Sequence, residues 1–411
     1  MDKRLFVQLR NKRIGVLGQD NHGKLNFQYD KNADKVLSLS LPLNPDKIYE
    51  ESDCRAYFNG LLPEGEHIRK SIGKRYGISP ENDFSLLKAI GYDCAGAVAF
   101  FEAGKKAPVL PEYLKIEGKI LSDDELTKYI EELPERPLAT GTDEIRLSLA
   151  GAQDKTAVVL IGDKIGLPFK NVPTTHILKP AIKDFRESVE NEYICMKAAQ
   201  KTGIKVPDVQ IRNVNKINYF LIERYDRKTF AGKIKRIHQE DFCQACNISS
   251  IYKYENEGGI SYQKCFEVLR KTSKPALEIK RFTKLIIFNY LIGNSDAHGK
   301  NFSLLHNDDG TTELAPAYDI LCTEAYKELS NKMAMKIGGY YERKQIYPRH
   351  WERFADDADI SYTQFKKTLK EQASALPEIV ENVIQNCENS IGKEILSAVN
   401  KNCQKVLKYQ W

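Results

Sequence analysis

Apolar positions change their rhythm along the chain. RLFVQL, RIGVLGQ and LNFQYD, within residues 4–30, are short alternating or apolar pieces separated by Asn/Gly-type turns, which predicts β-strands. Mixed helical stretches follow, such as SDCRAYFNGLLPEGEHIRKSIGKRYG. Residues 103–141 break the pattern with four prolines and a Lys-rich turn around one short helix. A capping box of Ser122 and Glu125 starts that helix, and Pro134 and Pro137 stop it. The segment reads as a connection between an N-terminal part and a larger C-terminal one.

Beyond it, KTAVVLIGDKIGLPF predicts two strands joined at Gly162-Asp163, and TTHILKP a further strand bounded by Pro180. RESVENEYICMKAAQKTG predicts a helix with Gly203 just past its end. VQIRNV and INYFLIERYD return to strands, and from about residue 240 the pattern turns mainly helical. A β-rich lobe followed by a helical lobe is an α+β, two-lobed plan.

Composition narrows this little. At 411 residues the chain is longer than one core supports, so two or three domains are expected. A net charge of +6 permits a basic face for phosphates or nucleic acid without requiring one. The opening MDKRLFVQLRNKRIGVL lacks the apolar run of a signal peptide, and no stretch has about 18 uninterrupted apolar residues. Nine scattered cysteines, mostly in apolar surroundings, read as reduced buried thiols. A soluble, cytoplasmic protein without a membrane partner is expected.

The densest chemistry lies in LIGNSDAHGKNFSLL, residues 291–305. RFTKLIIFNYLIG before it is apolar nearly all round and predicts a buried helix ended by Gly293. After Asn301, FSLLH and TELAPAYDI flank an NDDG turn, a hairpin that brings Asp319 back towards Asp296 and Asn301. Two carboxylates and a carboxamide converging suit a hard cation such as Mg²⁺ held by Asn301 and Asp319, with Asp296 left to orient or deprotonate a hydroxyl. That is the layout of a kinase catalytic site. A plain turn, in which Asp and Asn bond their own backbone, is the alternative.

Other positions fit the same plan. Lys179 in THILKP stands where a kinase keeps its phosphate-pairing lysine, although an exposed edge-strand lysine is the plainer reading. Glu192 is its candidate ion-pair partner. RLSLAGAQDKTAVV offers small residues before a strand, with Lys155 assisting at phosphates, but has one glycine and is a weak signal. LIERYDR, with Glu223 and Tyr225, falls at the seam of the lobes. Cys243-x-x-Cys246 with His238 and Cys265 nearby suggests zinc or redox chemistry, yet no second pair follows and buried helix cysteines fit better.

With SLAGAQDKTAV, PTTHILKP, VENEYICMKAA, IERYDR, QEDFCQA, LIGNSDAHGKNFSLL, PAYDIL and IYPRHW collinear, and FNGLLPEGEHIRKSIGKRYG and FSLLKAIGYDCAGAV before them, the whole chain resembles the HipA kinase toxins of bacterial toxin–antitoxin modules. The resemblance implies a eukaryotic-protein-kinase-like, two-lobed α+β fold with an N-terminal α/β subdomain. Its parts would be residues 1–135 (subdomain with linker), 136–224 (β-rich lobe with phosphate loop) and 225–411 (helical lobe with catalytic and metal-binding loops). It implies ATP and Mg²⁺ as cofactors, Asp296 as the catalytic aspartate, and Asn301 and Asp319 as metal ligands. ATP contacts would come from Ala150, Gly151, Ala152, Gln153, Asp154 and Lys155, from Lys179, from the hinge Glu223, Arg224 and Tyr225, and from His298, Asn301, Tyr318 and Asp319. Ser148 matches a serine that is autophosphorylated, which expels the loop and switches the enzyme off. The implied partners are a HipB-like helix-turn-helix antitoxin, operator DNA through that complex, and an aminoacyl-tRNA synthetase substrate, glutamyl- or tryptophanyl-. A small-molecule phosphotransferase with the same Asp-x4-Asn loop, and a nucleotide-binding DNA corepressor, remain open alternatives at this point.

Overall fold

A computed structural model describes residues 3–102, 113–133, 153–169, 172–387 and 390–411. The chain forms two compact units, each assembled from several chain pieces. One comprises residues 1–180, 212–251 and 305–310, the other residues 181–211, 252–304 and 311–411. These interleave along the sequence.

The first unit holds two main sheets. In the first, the strands run in the order Ile48–Tyr49, Leu25–Tyr29, Lys12–Gln19, Lys3–Leu9, Val98–Glu102. All its pairings are antiparallel. The three opening strands are those the alternation predicts. Side chains of one face, among them Leu5, Val7, Leu17 and Phe27, are buried with Phe58 of helix Glu51–Gly60 and Leu86 of helix Asp83–Ile90. Gly15 is dictated by crowding: a Cβ there would lie 2.4 Å from the Gln28 carbonyl and 2.8 Å from the Phe27 ring.

The second sheet has the order Val209–Val214, Ile217–Glu223, His176–Pro180, Thr156–Ile161, Lys164–Pro168, Gly118–Ile120. Gly162 makes the predicted turn at φ +60°. The segment read as a connection contributes more than a linker, because Gly118–Ile120 pairs with Lys164–Pro168 at the sheet edge. Helix Asp123–Glu132, with the predicted Ser122/Glu125 capping box, buries Leu126 and Ile130 with Val158, Leu178 and Leu221.

The second unit is mainly helical. Helix Pro275–Ile292 starts with proline in its first turn and ends at Gly293, φ +85°. From Leu285 to Ile292 it is buried throughout, because apolar residues occupy nearly every side of it. Phe266, Trp351 and Phe365 join this core, with Tyr290–Trp351 ring centroids 4.8 Å apart and Trp351–Phe365 5.2 Å apart. Helices Ser188–Lys201, Tyr362–Ile384 and Gly392–Leu407 complete the unit with a two-stranded ribbon, Lys332–Ile337 and Tyr340–Glu342.

Candidate active site

The loop after Gly293 is held from several sides. The Asn294 N–H and side-chain nitrogen donate to the Asn289 carbonyl and Oδ1, each at 3.0 Å. Asn294 Oδ1 accepts the Asp296 N–H at 3.0 Å, an Asx turn. Ser295 donates its N–H to Thr323 Oγ1 (2.8 Å), accepts the Ala334 N–H at its carbonyl (2.8 Å) and receives Arg343 at its hydroxyl (2.8 Å). Every residue from Leu285 to Leu304 is buried except Asp296, which is exposed. An ordinary solvated turn does not present one carboxylate from a buried frame.

Asn301 Nδ2 donates to Asp319 Oδ2 at 3.1 Å, so the convergence foreseen for these two residues is realised. Asp319 itself sits at φ +58°, a left-handed conformation rare for a side chain larger than glycine. Strain of this kind persists where the surroundings over-determine it. Tyr318 ties the two loops: its hydroxyl donates to the Lys300 carbonyl (2.6 Å) and contacts Ser303 Oγ (2.7 Å). The Ala315 N–H to Ser303 carbonyl bond, 2.8 Å, helps return the chain, and Gly310 at φ +84° makes the expected NDDG turn. His298 caps the short 3₁₀ turn Gly299–Asn301 and is buried, its ring edge-on to Tyr254 at 5.4 Å.

Asn301 Oδ1 is buried and makes no hydrogen bond among the described residues. A buried acceptor left bare costs about 1–3 kcal/mol, and beside the Asp319 carboxylate it is what a hard cation takes as ligand. The pair therefore fits a hard cation such as Mg²⁺.

Two residues of this site carry no signal that sequence reading used. Tyr254 donates its hydroxyl to Asp296 Oδ1 at 2.6 Å. Asn191, fully buried in helix Ser188–Lys201, accepts the Cys322 N–H (2.8 Å) and donates to the Cys322 carbonyl (3.0 Å), pinning the chain just beyond Asp319. Its neighbour Glu192, singled out from the sequence, is buried on the same helix.

The remaining candidates belong to the sheet-rich unit. Lys179 is buried on an inner strand, opposite Phe220, with Nζ 5.8 Å from that ring, which rules out the exposed-edge alternative. Asp154 Oδ1 meets His67 Nε2 at 2.9 Å. Gln153 and Lys155 are half-buried, while Ser148, Ala150, Gly151 and Ala152 lie outside the described residues. Glu223 ends its strand exposed, and the Tyr225 hydroxyl donates to Gln239.

The Arg224 side chain is engaged inside the sheet-rich unit. Its guanidinium is buried and donates to Asp226 (2.8 and 3.0 Å), to Thr174 Oγ1 (2.9 Å) and to the Cys94 carbonyl (3.0 Å). Arg227 and Arg236 reach Asp93 in the same cluster at 2.7 and 3.3 Å. Burial alone would raise the Asp93 carboxyl, but the three guanidiniums outweigh it and hold it well below the usual carboxylate range. Burial and the neighbouring Arg224 push Arg227 down to about 10.

Cys246 of the cysteine pair is half-buried just past the short helix that carries Cys243. Cys243 is buried in the short turn Phe242–Ala245, and His238, buried, bonds the Leu37 carbonyl at 2.7 Å. No group of three or more His, Cys, Asp or Glu able to hold a metal occurs among the described residues.

Residues 147–390 match the family described as HipA-like C-terminal domain, and residues 5–101 the family described as HipA N-terminal domain. The chain belongs to the HipA family. It is 39% identical to Y4mE of Sinorhizobium fredii over 383 residues, 91% of this chain and 90% of that protein. It is 29% identical to the serine/threonine-protein kinase toxin HipA of Shewanella oneidensis over 361 residues, 85% of this chain and 81% of that one. Among solved structures, the Shewanella oneidensis MR-1 complex of HipA, HipB and operator DNA matches with a TM-score of 0.86 at 25% identity, covering 98% of each chain. The α+β architecture is thus that of HipA, and the family is one of kinase-type toxins whose chemistry is phosphotransfer. No helix among the described residues is long and apolar enough to cross a membrane.

Proposed function

We propose that this HipA-family chain is an ATP- and Mg²⁺-dependent serine/threonine protein kinase acting as the toxin of a toxin–antitoxin module. The observation that carries the reading is Asp296, the one exposed residue in a buried stretch, on the same loop as Asn301, which pairs with Asp319. In this reading Asp296 orients the acceptor hydroxyl and takes its proton as the oxygen bonds to the γ-phosphorus and ADP departs. Lys179 steadies the phosphates. Mg²⁺ on Asn301 and Asp319 supplies charge neutralisation there. Glu223, the backbone at Arg224, and Tyr225 are proposed to line the adenine, with His298 and Tyr318 beside the phosphate end. Gln153, Asp154 and Lys155 belong to the proposed phosphate loop, and Ser148 is its proposed autophosphorylation site.

The proposed substrate is an aminoacyl-tRNA synthetase, glutamyl- before tryptophanyl-, whose phosphorylation halts translation and growth in the cytoplasm. The structural likeness to a HipA bound to HipB and operator DNA supports a small helix-turn-helix antitoxin as partner, with operator DNA reached through it. The test is incubation of the full chain with Mg²⁺ and γ-labelled ATP, offering both synthetases, with phosphosites mapped by mass spectrometry. Label on a synthetase with wild type but not with Asp296→Asn is expected. Absence of transfer to any protein, the chain itself included, overturns the reading.

A further inference from the structure

Tyr254 stands outside every role assigned so far. Its hydroxyl donates to Asp296 Oδ1 at 2.6 Å. An exposed aspartate rotates broadly about its terminal torsion, which is roughly two-fold and shallow. A base that must meet an incoming hydroxyl in one geometry therefore needs something to choose its orientation.

The main chain around Tyr254 is built to hold it. Its carbonyl accepts the Glu257 N–H at 3.1 Å and the Gly259 N–H at 2.9 Å. Glu255, the next residue, accepts the Lys336 N–H at 2.7 Å and pairs with the Lys336 ammonium at 3.2 Å, which fastens the turn to the ribbon. Gly259 is obligatory at this closure, since a Cβ would lie 2.2 Å from the Tyr252 carbonyl and 2.6 Å from that of Tyr254. The ring stands edge-on to His298, at 81° and 5.4 Å, and the His298 N–H donates to the Asp296 carbonyl at 2.8 Å. Ring and hydroxyl thus touch the catalytic loop at two points, from a turn anchored at the Tyr254 carbonyl and at Glu255.

We infer that Tyr254 is a positioning residue for phosphoryl transfer, holding Asp296 Oδ1 so that Oδ2 is the oxygen offered to the acceptor hydroxyl. This rests on the kinase reading above. The hydroxyl stays protonated and unmodified through turnover; its work is to fix a carboxylate, not to accept phosphate. An anchored turn suits that work better than it suits an acceptor, which must move to the phosphate and leave.

The experiment compares wild type with Tyr254→Phe, which keeps the ring, and Tyr254→Ala, which does not. All are full-length, with Mg²⁺, γ-labelled ATP and glutamyl-tRNA synthetase, or with the chain's own phosphorylation as readout if that is the transfer wild type performs. Tyr254→Phe is expected to lower kcat about tenfold while KM for ATP stays within about twofold and thermal unfolding is unchanged. An unaltered kcat in Tyr254→Phe overturns the inference while leaving the kinase reading intact. So does a matching loss of ATP affinity and melting temperature, which marks a structural role. Phosphate on Tyr254 in the wild-type mass spectrum also overturns it, by making the hydroxyl an acceptor. No transfer by wild type removes the kinase reading itself.

Discussion

Asn301 turns its amide nitrogen to Asp319, 3.1 Å away, and keeps its oxygen buried with no hydrogen bond among the described residues. In the proposed reading these two side chains are the metal ligands, and Asp319 holds its place with a left-handed backbone, φ +58°. Replacing Asp319 separates chemistry from strain. Both Asp319→Ala and Asp319→Gly should lose phosphotransfer by at least about a hundredfold. The glycine variant should be the more stable of the two by about 1 kcal/mol, because glycine adopts the left-handed conformation without penalty. Urea unfolding of the pair, together with Mg²⁺-dependent transfer, checks both halves.

Asp296 carries the reaction in this reading but little of the fold, since it is the exposed position of its stretch. Asp296→Asn should abolish transfer while leaving ATP affinity and melting temperature within error. Appreciable residual turnover would remove Asp296 from the role of base.

Asn191 is a structural clamp. Asn191→Ala strips both hydrogen bonds from Cys322 in a buried site, at an expected cost of about 2–4 kcal/mol. Transfer should fall as well, because the chain three residues from Asp319 loses its tether. A denaturant titration showing less than about 1 kcal/mol of loss would mean that the helix holds this segment by packing alone.

The buried arginine cluster gives a pH signature. Asp93 is depressed in the folded chain, so the unfolded state takes up a proton first as pH falls through the ordinary carboxylate range. Its stabilisation is complete above that range and is lost on acidification towards the depressed value. Asp93→Asn should cost about 3–5 kcal/mol at neutral pH, since it leaves buried guanidiniums under-compensated. It should also flatten the acid limb of stability against pH. A variant whose stability falls with acid as steeply as wild type would contradict the assignment.

How much of this was legible beforehand varies by residue, for physical reasons. The Asp296 loop stood out because polar side chains between two apolar runs have few bland explanations, and the NDDG turn allowed Asp319 to be placed. Lys179 was readable from its strand, though its inner position depends on which strands pair, a long-range fact. Asn191 was not readable: one asparagine in an amphipathic helix looks like surface until the carbonyl it serves, 131 positions away, is known. Tyr254 was missed for the same reason, lying in a polar loop 42 positions from its partner. Arg224 came with the hinge residues that the family resemblance implies, and nothing local in LIERYDR says that its side chain turns inward. The carboxylate that holds its side chain most closely, Asp226, is two positions on, whereas Asp93, which gathers Arg227 and Arg236 into the same cluster, is distant in sequence. The 103–141 segment misled through its prolines, which mark turns but do not forbid a short edge strand between them.

That Asp93 lies within residues 5–101 and its arginines within residues 147–390 has an evolutionary consequence. The two family regions share one buried charge balance, so neither half is a portable module. A chimera joining the first hundred residues of one relative to the remainder of another brings together an aspartate and arginines never selected side by side. Such exchanges should succeed only where both parents keep this constellation, and the two regions are expected to be inherited as a single cassette.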